Sequence, residues 1–235
     1  MKYGVISDIH GNLPALEATL EKLTELSVDE IITVGDMSGV LGWPEETAQR
    51  VREASDHTVF GNHDARVMSD FTFVPDCPVY RQEHEVVTGS YSAETIEWLD
   101  SLPEVVEVDG MIIGHANPYD DPVHGYPAQN YQPKSSWTSF ASEYMDGETA
   151  IFGHTHEQGY LDVSKFPGLD GHILNPGSVG QPYDKTAQFA TVDTDTNSFE
   201  LHQTHYDYQK VRSRLQEVGI NKNPERGFDI QTDLL

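Results

Sequence analysis

The sequence predicts an α/β fold built on a parallel sheet, and three observations in its first third lead to that class. Short β-rich runs alternate with longer segments that have helical periodicity. The runs end at small or polar residues, where a chain leaves a sheet. Between them, leucines recur at spacings near three and four, as on one face of a helix. This alternation is typical of parallel strands joined by crossover helices.

The first strand and helix have clear boundaries. The run KYGVIS ends at Asp8, and the leucine-rich stretch after it predicts a helix that begins near Leu13. Asn12 is the predicted N-cap of this helix, and Pro14 falls in its first turn, where a missing N–H costs little.

The next elements repeat the pattern. EIITVG predicts a strand that ends at Asp36, and PEETAQRVREA predicts a second helix. HTVFG predicts a third strand that leads into Asn62 and His63. We therefore expect neighbouring strands that are each followed by polar side chains.

The rest of the chain mixes helices and strands. SAETIEWLDSLP predicts a helix that begins at Ser92, and EVVEVDGMIIGHA predicts a hairpin that turns at its Asp-Gly pair. Residues 117–136 predict a long surface loop, WTSFASEYMDG a short helix and TAIFG a strand. The last third is strand-rich and ends with a helix in YQKVRSRLQEV. We expect one domain over residues 1–235, since neither a linker nor an internal repeat is visible.

Composition limits the classes of function. The chain has 39 acidic and 14 basic residues, a net charge of −25 that is spread along its length. Such a surface favours salt adaptation, as in haloarchaea, because salt screens its self-repulsion. It disfavours a long nucleic-acid partner, since phosphate backbones are bound by Lys and Arg. The single Cys77 excludes an internal disulfide and a multi-cysteine metal site.

The distribution of apolar residues indicates where in the cell the protein is found. No apolar run approaches the length of a membrane span, and the N-terminal strand pattern is unlike a signal peptide. We therefore expect a cytoplasmic protein without a membrane partner.

Polar side chains of one chemical kind follow five of the apolar strands. The carboxyl ends of parallel strands are where α/β sheets bind ligands. Carboxylate, imidazole and amide groups without a thiolate suit divalent ions such as Mn²⁺, Fe²⁺ or Zn²⁺. One ion could not use so many groups, whereas two ions about 3.5–4 Å apart could share a bridging carboxylate. The residues are Asp8, His10, Asp36, Asn62, His63, His115, His154 and His156.

Two pairs in this set are separated by a single residue. On an extended backbone, residues two apart point to the same side. Asp8 and His10 are therefore expected to reach one object, and so are His154 and His156. Taken alone, the GHTH stretch is more often a polar turn than a metal site.

Neighbouring residues have structural as well as functional interpretations. Asp64 could orient His63 or cap the following segment, and Asn12 could approach a substrate as well as cap its helix. NPGSVG is expected to form a structural turn under the site, although Asn175 and Ser178 could touch substrate. The other histidines match no motif and are expected to be surface or core residues: His57, His84, His124, His172, His202 and His205.

The ordered motifs D-x-H, G-D, G-N-H-D, G-H and G-H-x-H, from residue 8 to residue 156, resemble those of the calcineurin-like metallophosphoesterase superfamily. NPGSVGQP at 175–182 is similar to small prokaryotic members of its predicted-phosphodiesterase branch. The resemblance implies a four-layer αββα sandwich, in which two mixed β-sheets lie between helices. It also implies two divalent metal ions, manganese before iron, zinc or nickel.

The resemblance also implies a role for each residue. One metal would be held by Asp8, His10, Asp36 and His156, and the second by Asp36, Asn62, His115 and His154. Asp36 would bridge the ions, with a hydroxide between them that attacks phosphorus in line. His63 would stabilise the transition state and protonate the leaving alkoxide, as suits an imidazole that titrates near neutrality. His63, Asp36 and Asn62 are therefore the predicted catalytic residues.

The chain departs from the family in one place. Many members, including the protein phosphatases, read G-D-x-x-D after the second strand, and the later aspartate pairs with the catalytic histidine. Here the stretch is GDMSG, with Gly39 in that position. The departure weakens a protein-phosphatase interpretation and leaves open what orients His63.

Three functions remain at this point. The first is a cytoplasmic metal-dependent phosphodiesterase or phosphatase that acts on a small phosphorylated compound or nucleotide. The second is a nuclease of the same superfamily, which the acidic surface disfavours. The third is a binding scaffold like the retromer subunit of the superfamily, which the complete set of motif residues disfavours. Segments 71–90 and 117–136 are expected to shape substrate access, and the oligomeric state stays open.

Overall fold

Two five-stranded mixed sheets lie between layers of helices in the computed structural model, which describes residues 1–39, 41–68, 89–123, 133–182 and 185–219. The strands are β1 (Lys2–Ile6), β2 (Glu30–Val34), β3 (His57–Val59), β4 (Val105–Val108), β5 (Met111–Gly114), β6 (Thr149–Ile151), β7 (Gly159–Asp162), β8 (His172–Asn175), β9 (Ala187–Asp193) and β10 (Ser198–Thr204). The helices are α1 (Leu13–Glu25), α2 (Pro44–Ala54), α3 (Asn62–Met68), α4 (Ala93–Asp100), α5 (Pro133–Tyr144) and α6 (Tyr208–Glu217), with a 3₁₀ turn at Val163–Lys165.

The first sheet has the order β10-β9-β1-β2-β3, and the second has the order β4-β5-β6-β8-β7. In the first sheet β1, β2 and β3 are parallel, as predicted, while β9 pairs antiparallel with β1 on one side and with β10 on the other. In the second sheet β5, β6 and β8 are parallel, with an antiparallel strand at each edge. The four-layer αββα prediction is therefore confirmed.

Three of the apolar clusters among the described residues join the sheets to one another and to most of the helices. Tyr3, Val5 and Ile32 of the first sheet pack between the sheets against Ile113 and Ile151 of the second. A second cluster joins α1, α2 and α4 to the outer face of the first sheet, and a third joins α5 to the outer face of the second. Because both sheets are covered on both faces, their parallel strands read as continuous apolar runs in the sequence.

Several predicted boundaries are confirmed by local contacts. Asn12 caps α1 by accepting a 3.2 Å hydrogen bond from the Ala15 N–H, and Ser92 caps α4 in the same way from Thr95. The predicted hairpin turns at Asp109 and Gly110, both in the left-handed region. Within the described residues, every helix is too short or too polar to cross a lipid bilayer.

One boundary prediction was wrong, and one helix was not predicted. Helix α5 begins at Pro133, within the stretch predicted as a loop, because proline at a first helical position is already set for a helix. Helix α3 was not predicted, so Asn62 and His63 lie in a first helical turn. Residues 71–88 and 124–132 of the predicted access segments, and both His84 and His124, lie outside the described residues.

Candidate metal centre

The loops that follow five strands bring all eight predicted site residues into one pocket between the two sheets. Three of the loops follow strands of the first sheet, and two follow strands of the second. Except for His63 and the two histidines of the GHTH stretch, the side chains are buried. The pocket therefore depends on the correct packing of both sheets.

Asp8, His10 and His156 form the first cluster. His10 Nε2 lies 3.0 Å from His156 Nε2, and both nitrogens face Asp8 Oδ1, at 3.6 and 3.1 Å. The other carboxylate oxygen, Oδ2, accepts hydrogen bonds from the Ser7 hydroxyl at 2.6 Å and the His154 N–H at 3.0 Å. Ser7 and the His154 backbone thus leave Oδ1 to face the histidines.

Asn62, His115 and His154 form the second cluster. Asn62 Oδ1 lies 3.1 Å from His115 Nε2 and 2.9 Å from His154 Nδ1, and these two nitrogens are 3.2 Å apart. The two histidines of GHTH, His154 and His156, therefore belong to different clusters.

Asp36 lies between the clusters. Its Oδ2 is 3.3 Å from His115 Nε2 in the second cluster and 3.9 Å from His10 Nε2 in the first. Its Oδ1 accepts the backbone N–H of His63 at 2.7 Å. One carboxylate oxygen is thus held by the backbone, while the other faces both clusters.

The expectation that the paired residues lie on extended backbone was wrong. Asp8, His10, Asp36, His154 and His156 all have φ between 52° and 64°, the left-handed region. Non-glycine residues occupy this region at a cost of about 1–2 kcal/mol each, and such strain clusters at functional sites. The side chains converge because tight loops aim each one separately.

Two of the histidines have a fixed tautomer. His115 Nδ1 lies 2.8 Å from the Val34 carbonyl, and His156 Nδ1 lies 3.1 Å from the Gln181 carbonyl. A carbonyl oxygen only accepts, so each Nδ1 carries the hydrogen. In the neutral ring, Nε2 then presents a lone pair to its cluster, which is how metal-binding histidines are oriented.

The residues fit divalent metal ions. Lone pairs and carboxylate or amide oxygens meet at the centre of each cluster, and Asp8 Oδ1, although buried, accepts no hydrogen bond from the described residues. Ligands bonded at about 2.0–2.1 Å around one ion lie about 3 Å apart, close to the separations within each cluster. Three carboxylate-containing trios have ligand atoms within 4.8 Å of one another: Asp8 with His10 and His156, Asp36 with His10 and His63, and Asp8 with Asp36 and His115.

The electrostatics of the pocket require positive charge. Burial alone would lower the pKa of His115, but the Asp36 and Asp8 carboxylates and the Val34 carbonyl raise it to about 10. Burial would raise the pKa of Asp8, yet His156 and His10 hold it well below its usual value. Burial, together with the charge on His115, lowers the pKa of His154 to about 4. Without metal, a proton on His115 therefore supplies part of the charge that an ion would provide.

His63 lies beside the first cluster, on helix α3. Its ring packs edge-on against His10, with centroids 4.6 Å apart, and Arg66 Nη1 lies 3.1 Å from its Nε2 and 3.5 Å from its Nδ1. Burial lowers the pKa of His63 well below its usual value, although the Asp36 carboxylate acts in the opposite direction. The charges of His10 and Arg66 lower this pKa further. The ring is thus neutral at pH 7, which differs from the expectation that it titrates near neutrality.

The departure at Gly39 has a steric cause. A Cβ on this residue would lie 2.5 Å from His10 Cα and 2.7 Å from His10 C. The loop after Asp36 packs directly on the backbone of the first cluster, so no side chain fits there. Arg66, rather than an aspartate at position 39, contacts His63.

Asp64 supports the pocket through hydrogen bonds to the backbone. Its carboxylate accepts hydrogen bonds from the backbone N–H groups of Asp36 at 2.9 Å, Ser38 at 2.8 Å and Gly61 at 3.0 Å. The Gly61 bond is the return bond of a capped helix start, so the capping interpretation holds in part. Burial and the Asp36 charge raise the pKa of Asp64 to about 7, although hydrogen bonds from Ser38 and Gly61 act in the opposite direction.

The turn at 175–182 braces the pocket, as expected. Ser178 Oγ donates to the Asp8 carbonyl at 2.7 Å and accepts the Gln181 N–H at 2.8 Å, while Asn175 donates to the Gly153 carbonyl at 2.8 Å. Asn12 donates to the Gly180 carbonyl at 3.0 Å, so its amide binds protein at both ends. Other residues that support the site were not identified from the sequence, among them Ser7 and Arg66.

Comparison with known proteins places this pocket in a family. The model of the calcineurin-like phosphoesterase superfamily domain matches residues 1–197. The chain is similar to an uncharacterised protein of Methanocaldococcus jannaschii, at 28% identity over 90% of each chain. It is also similar to a metallophosphoesterase structure from Sphaerobacter thermophilus, with a TM-score of 0.78, 27% identity and 97% of each chain covered. A hypothetical protein from Pyrococcus horikoshii shares the fold, with a TM-score of 0.79, 21% identity and 95% of each chain covered. This chain belongs to the calcineurin-like phosphoesterase superfamily.

Proposed function

We propose that this protein is a phosphodiesterase or phosphatase that uses two divalent metal ions to hydrolyse a small phosphate ester or nucleotide. The observation that carries the proposal is the pair of adjoining clusters that face one oxygen of Asp36. Mixed nitrogen and oxygen donors without a thiolate favour manganese, with iron, zinc or nickel as alternatives.

Each cluster would hold one ion. Asp8, His10 and His156 would bind the first and Asn62, His115 and His154 the second, with Asp36 binding both. When bound, the ions supply an activated water for in-line attack on phosphorus and positive charge for the phosphate oxygens. Because their Nδ1 atoms donate to carbonyl oxygens, His115 and His156 direct Nε2 at the ions, and Nε2 presents a lone pair once the ring is neutral.

His63 has a separate role on the leaving-group side. Its backbone N–H holds Asp36 in place, and its ring borders the first cluster without belonging to it. As a neutral imidazole it would donate a ring N–H to the departing oxygen. This hydrogen bond stabilises the charge that develops in the transition state.

A small substrate fits the charge of the molecule better than a polynucleotide does. The net charge of −25 repels a long phosphate backbone, whereas two ions in a pocket can attract a single phosphate group. We further propose that residues 1–235 act as one cytoplasmic domain.

The acidic surface supports a proposal of salt adaptation. Thermal unfolding measured from low to multimolar KCl should show a midpoint that rises with salt, because screening relieves self-repulsion. A thermal unfolding midpoint that does not change with salt would contradict this part of the proposal.

The function is tested by a hydrolysis screen of manganese-reconstituted protein in high salt. Aryl mono- and diesters, cyclic dinucleotides and nucleotides would be compared for wild type, His63→Ala and, as a matched control, the exposed His205→Ala. We expect activity in wild type and His205→Ala, with a loss of about 10²–10³-fold in His63→Ala. Equal inactivity of wild type and His63→Ala on every substrate would refute the catalytic role.

A further inference from the structure

Strand β10 forms one edge of the first sheet and differs from the other edge strands in length. It has seven residues, Ser198–Thr204, and pairs with β9 residue for residue, without a bulge. The edge strands β3, β4 and β7 have only three or four residues each. Short strands, bulges, prolines and lysines protect sheet edges against pairing with other chains, and β10 has none of these features.

The backbone of Leu201, at the midpoint of β10, faces the open side of the sheet. On β9, the Gln188 N–H donates to the Ser178 carbonyl and so points away from β10. Because hydrogen bonding alternates along an antiparallel pair, Ala190, two residues further along, also turns its backbone away from β10. Leu201 is the register partner of Ala190. Its N–H and C=O are therefore directed outward, where a further strand would bind them.

The side chain of Leu201 is the most exposed large apolar group among the described residues, at 42%. It lies on the same face of β10 as Phe199, whose ring stacks on Tyr160 of β7 with centroids 4.7 Å apart. A single exposed leucine is ordinary on a protein surface. At the middle of an open edge, however, a strand added beside β10 would cover it.

The sequence of β10 is complementary to itself. When two copies are laid antiparallel with Leu201 at the two-fold axis, Leu201 faces Leu201, and Glu200 of each copy faces His202 of the other. A carboxylate thus lies opposite an imidazole. Moving the axis by one residue would place the two Glu200 carboxylates opposite each other, which is unfavourable. With Leu201 at the axis, the N–H of each copy also meets the C=O of the other.

We infer that β10 binds β10 of a second copy of this chain, antiparallel and about a two-fold axis at Leu201. The two first sheets, of five strands each, then form one continuous sheet across the dimer. The net charge of −25 on each copy opposes this contact in dilute buffer, so the dimer forms where salt screens the repulsion. The inference goes beyond the proposed function and does not depend on it.

Sedimentation velocity of the full chain in multimolar KCl tests the contact. We expect a dimer for wild type and at least about 10-fold weaker association for Leu201→Asp, which loses the apolar contact and places like charges at the axis. Phe166→Asp is the matched control, because Phe166 is exposed to a similar extent, 40%, outside the edge strands. A wild type that stays monomeric, equal association of wild type and Leu201→Asp, or equal weakening by both substitutions would overturn the inference.

Cysteine cross-linking tests the register. In a Cys77→Ser background, Leu201→Cys should form disulfide-linked dimers on oxidation, since Cα atoms of directly opposed residues are about 4.5–5.5 Å apart, within reach of a disulfide. Thr204→Cys alone should not cross-link, because Thr204 lies opposite Ser198 in this register. A mixture of Ser198→Cys and Thr204→Cys should. Cross-linking of Thr204→Cys to itself, or none for Leu201→Cys, would overturn the inference.

Discussion

The two clusters of the pocket are built from different chemistry and are held in different ways. The first contains a carboxylate of its own, Asp8, whereas the second contains two imidazoles and an amide and shares only Asp36. The turn at 175–182 braces the first cluster through Ser178 and Gln181. The difference teaches that two ions in one pocket need not be equivalent: we expect the first cluster to bind a hard divalent ion more tightly.

Removing the shared carboxylate should have the largest effect, because it abolishes the link between the clusters. Asp36→Asn keeps the size of the side chain but removes its charge. We expect metal affinity at both clusters to fall more than about 100-fold, beyond the 10–100-fold cost of losing an outer partner. Metal content after dialysis measures this, with the exposed Asp100→Asn as control. Loss of one ion only would show that Asp36 is not shared.

The two histidines of GHTH should separate the clusters. His154→Ala should chiefly empty the second cluster, and His156→Ala the first, because their ring nitrogens face different partners. Metal titration with anomalous diffraction of each variant identifies which ion is lost, and the exposed His205→Ala serves as control. If each variant lost both ions in equal measure, the division would be wrong.

Removing a contact that supports the first cluster should weaken metal binding at that cluster alone. Ser178→Ala removes the hydroxyl that joins the Asp8 carbonyl to the Gln181 N–H. We expect about 10-fold weaker binding of the first ion and a loss of about 1–3 kcal/mol of stability, since a buried N–H loses its acceptor. Ser101→Ala, which removes an exposed hydroxyl hydrogen bond, is the control for both measurements. An equal weakening of both ions would mean that the turn supports the whole pocket.

Binding of an ion to the second cluster should release a proton from His115. The pKa of His115 is raised to about 10 in the metal-free pocket, so its ring is protonated at pH 8. An ion needs the Nε2 lone pair, and its binding therefore expels about one proton and tightens as pH rises toward 10. Calorimetry of His156→Ala in two buffers of different ionisation enthalpy counts the protons. A heat of binding that is identical in both buffers would contradict the charge on His115.

The order of the elements and the identity of the site residues could be predicted because both are local signals. Strand and helix periodicity marked β1 to β3 and the caps at Asn12 and Ser92, and the polar residues at strand ends marked the pocket. The backbone could not be predicted, since left-handed φ values at Asp8 and His154 depend on loops packed against each other.

Contacts between distant segments could not be predicted from the sequence either. Ser178 meets Asp8 across 170 residues of chain, and the lack of space at Gly39 comes from the backbone of His10. The partner of His63 was hidden for another reason, because helix α3 was not recognised and Arg66 was therefore not placed on the face of His63.

The central claim is that the pocket holds two ions that share Asp36, one in each cluster. Anomalous diffraction from crystals of the manganese-reconstituted protein, recorded on both sides of the manganese edge, tests it directly. We predict two anomalous peaks beside Asp36, one among Asp8, His10 and His156 and the other among Asn62, His115 and His154. A single peak, no peak, or peaks away from Asp36 would contradict the claim.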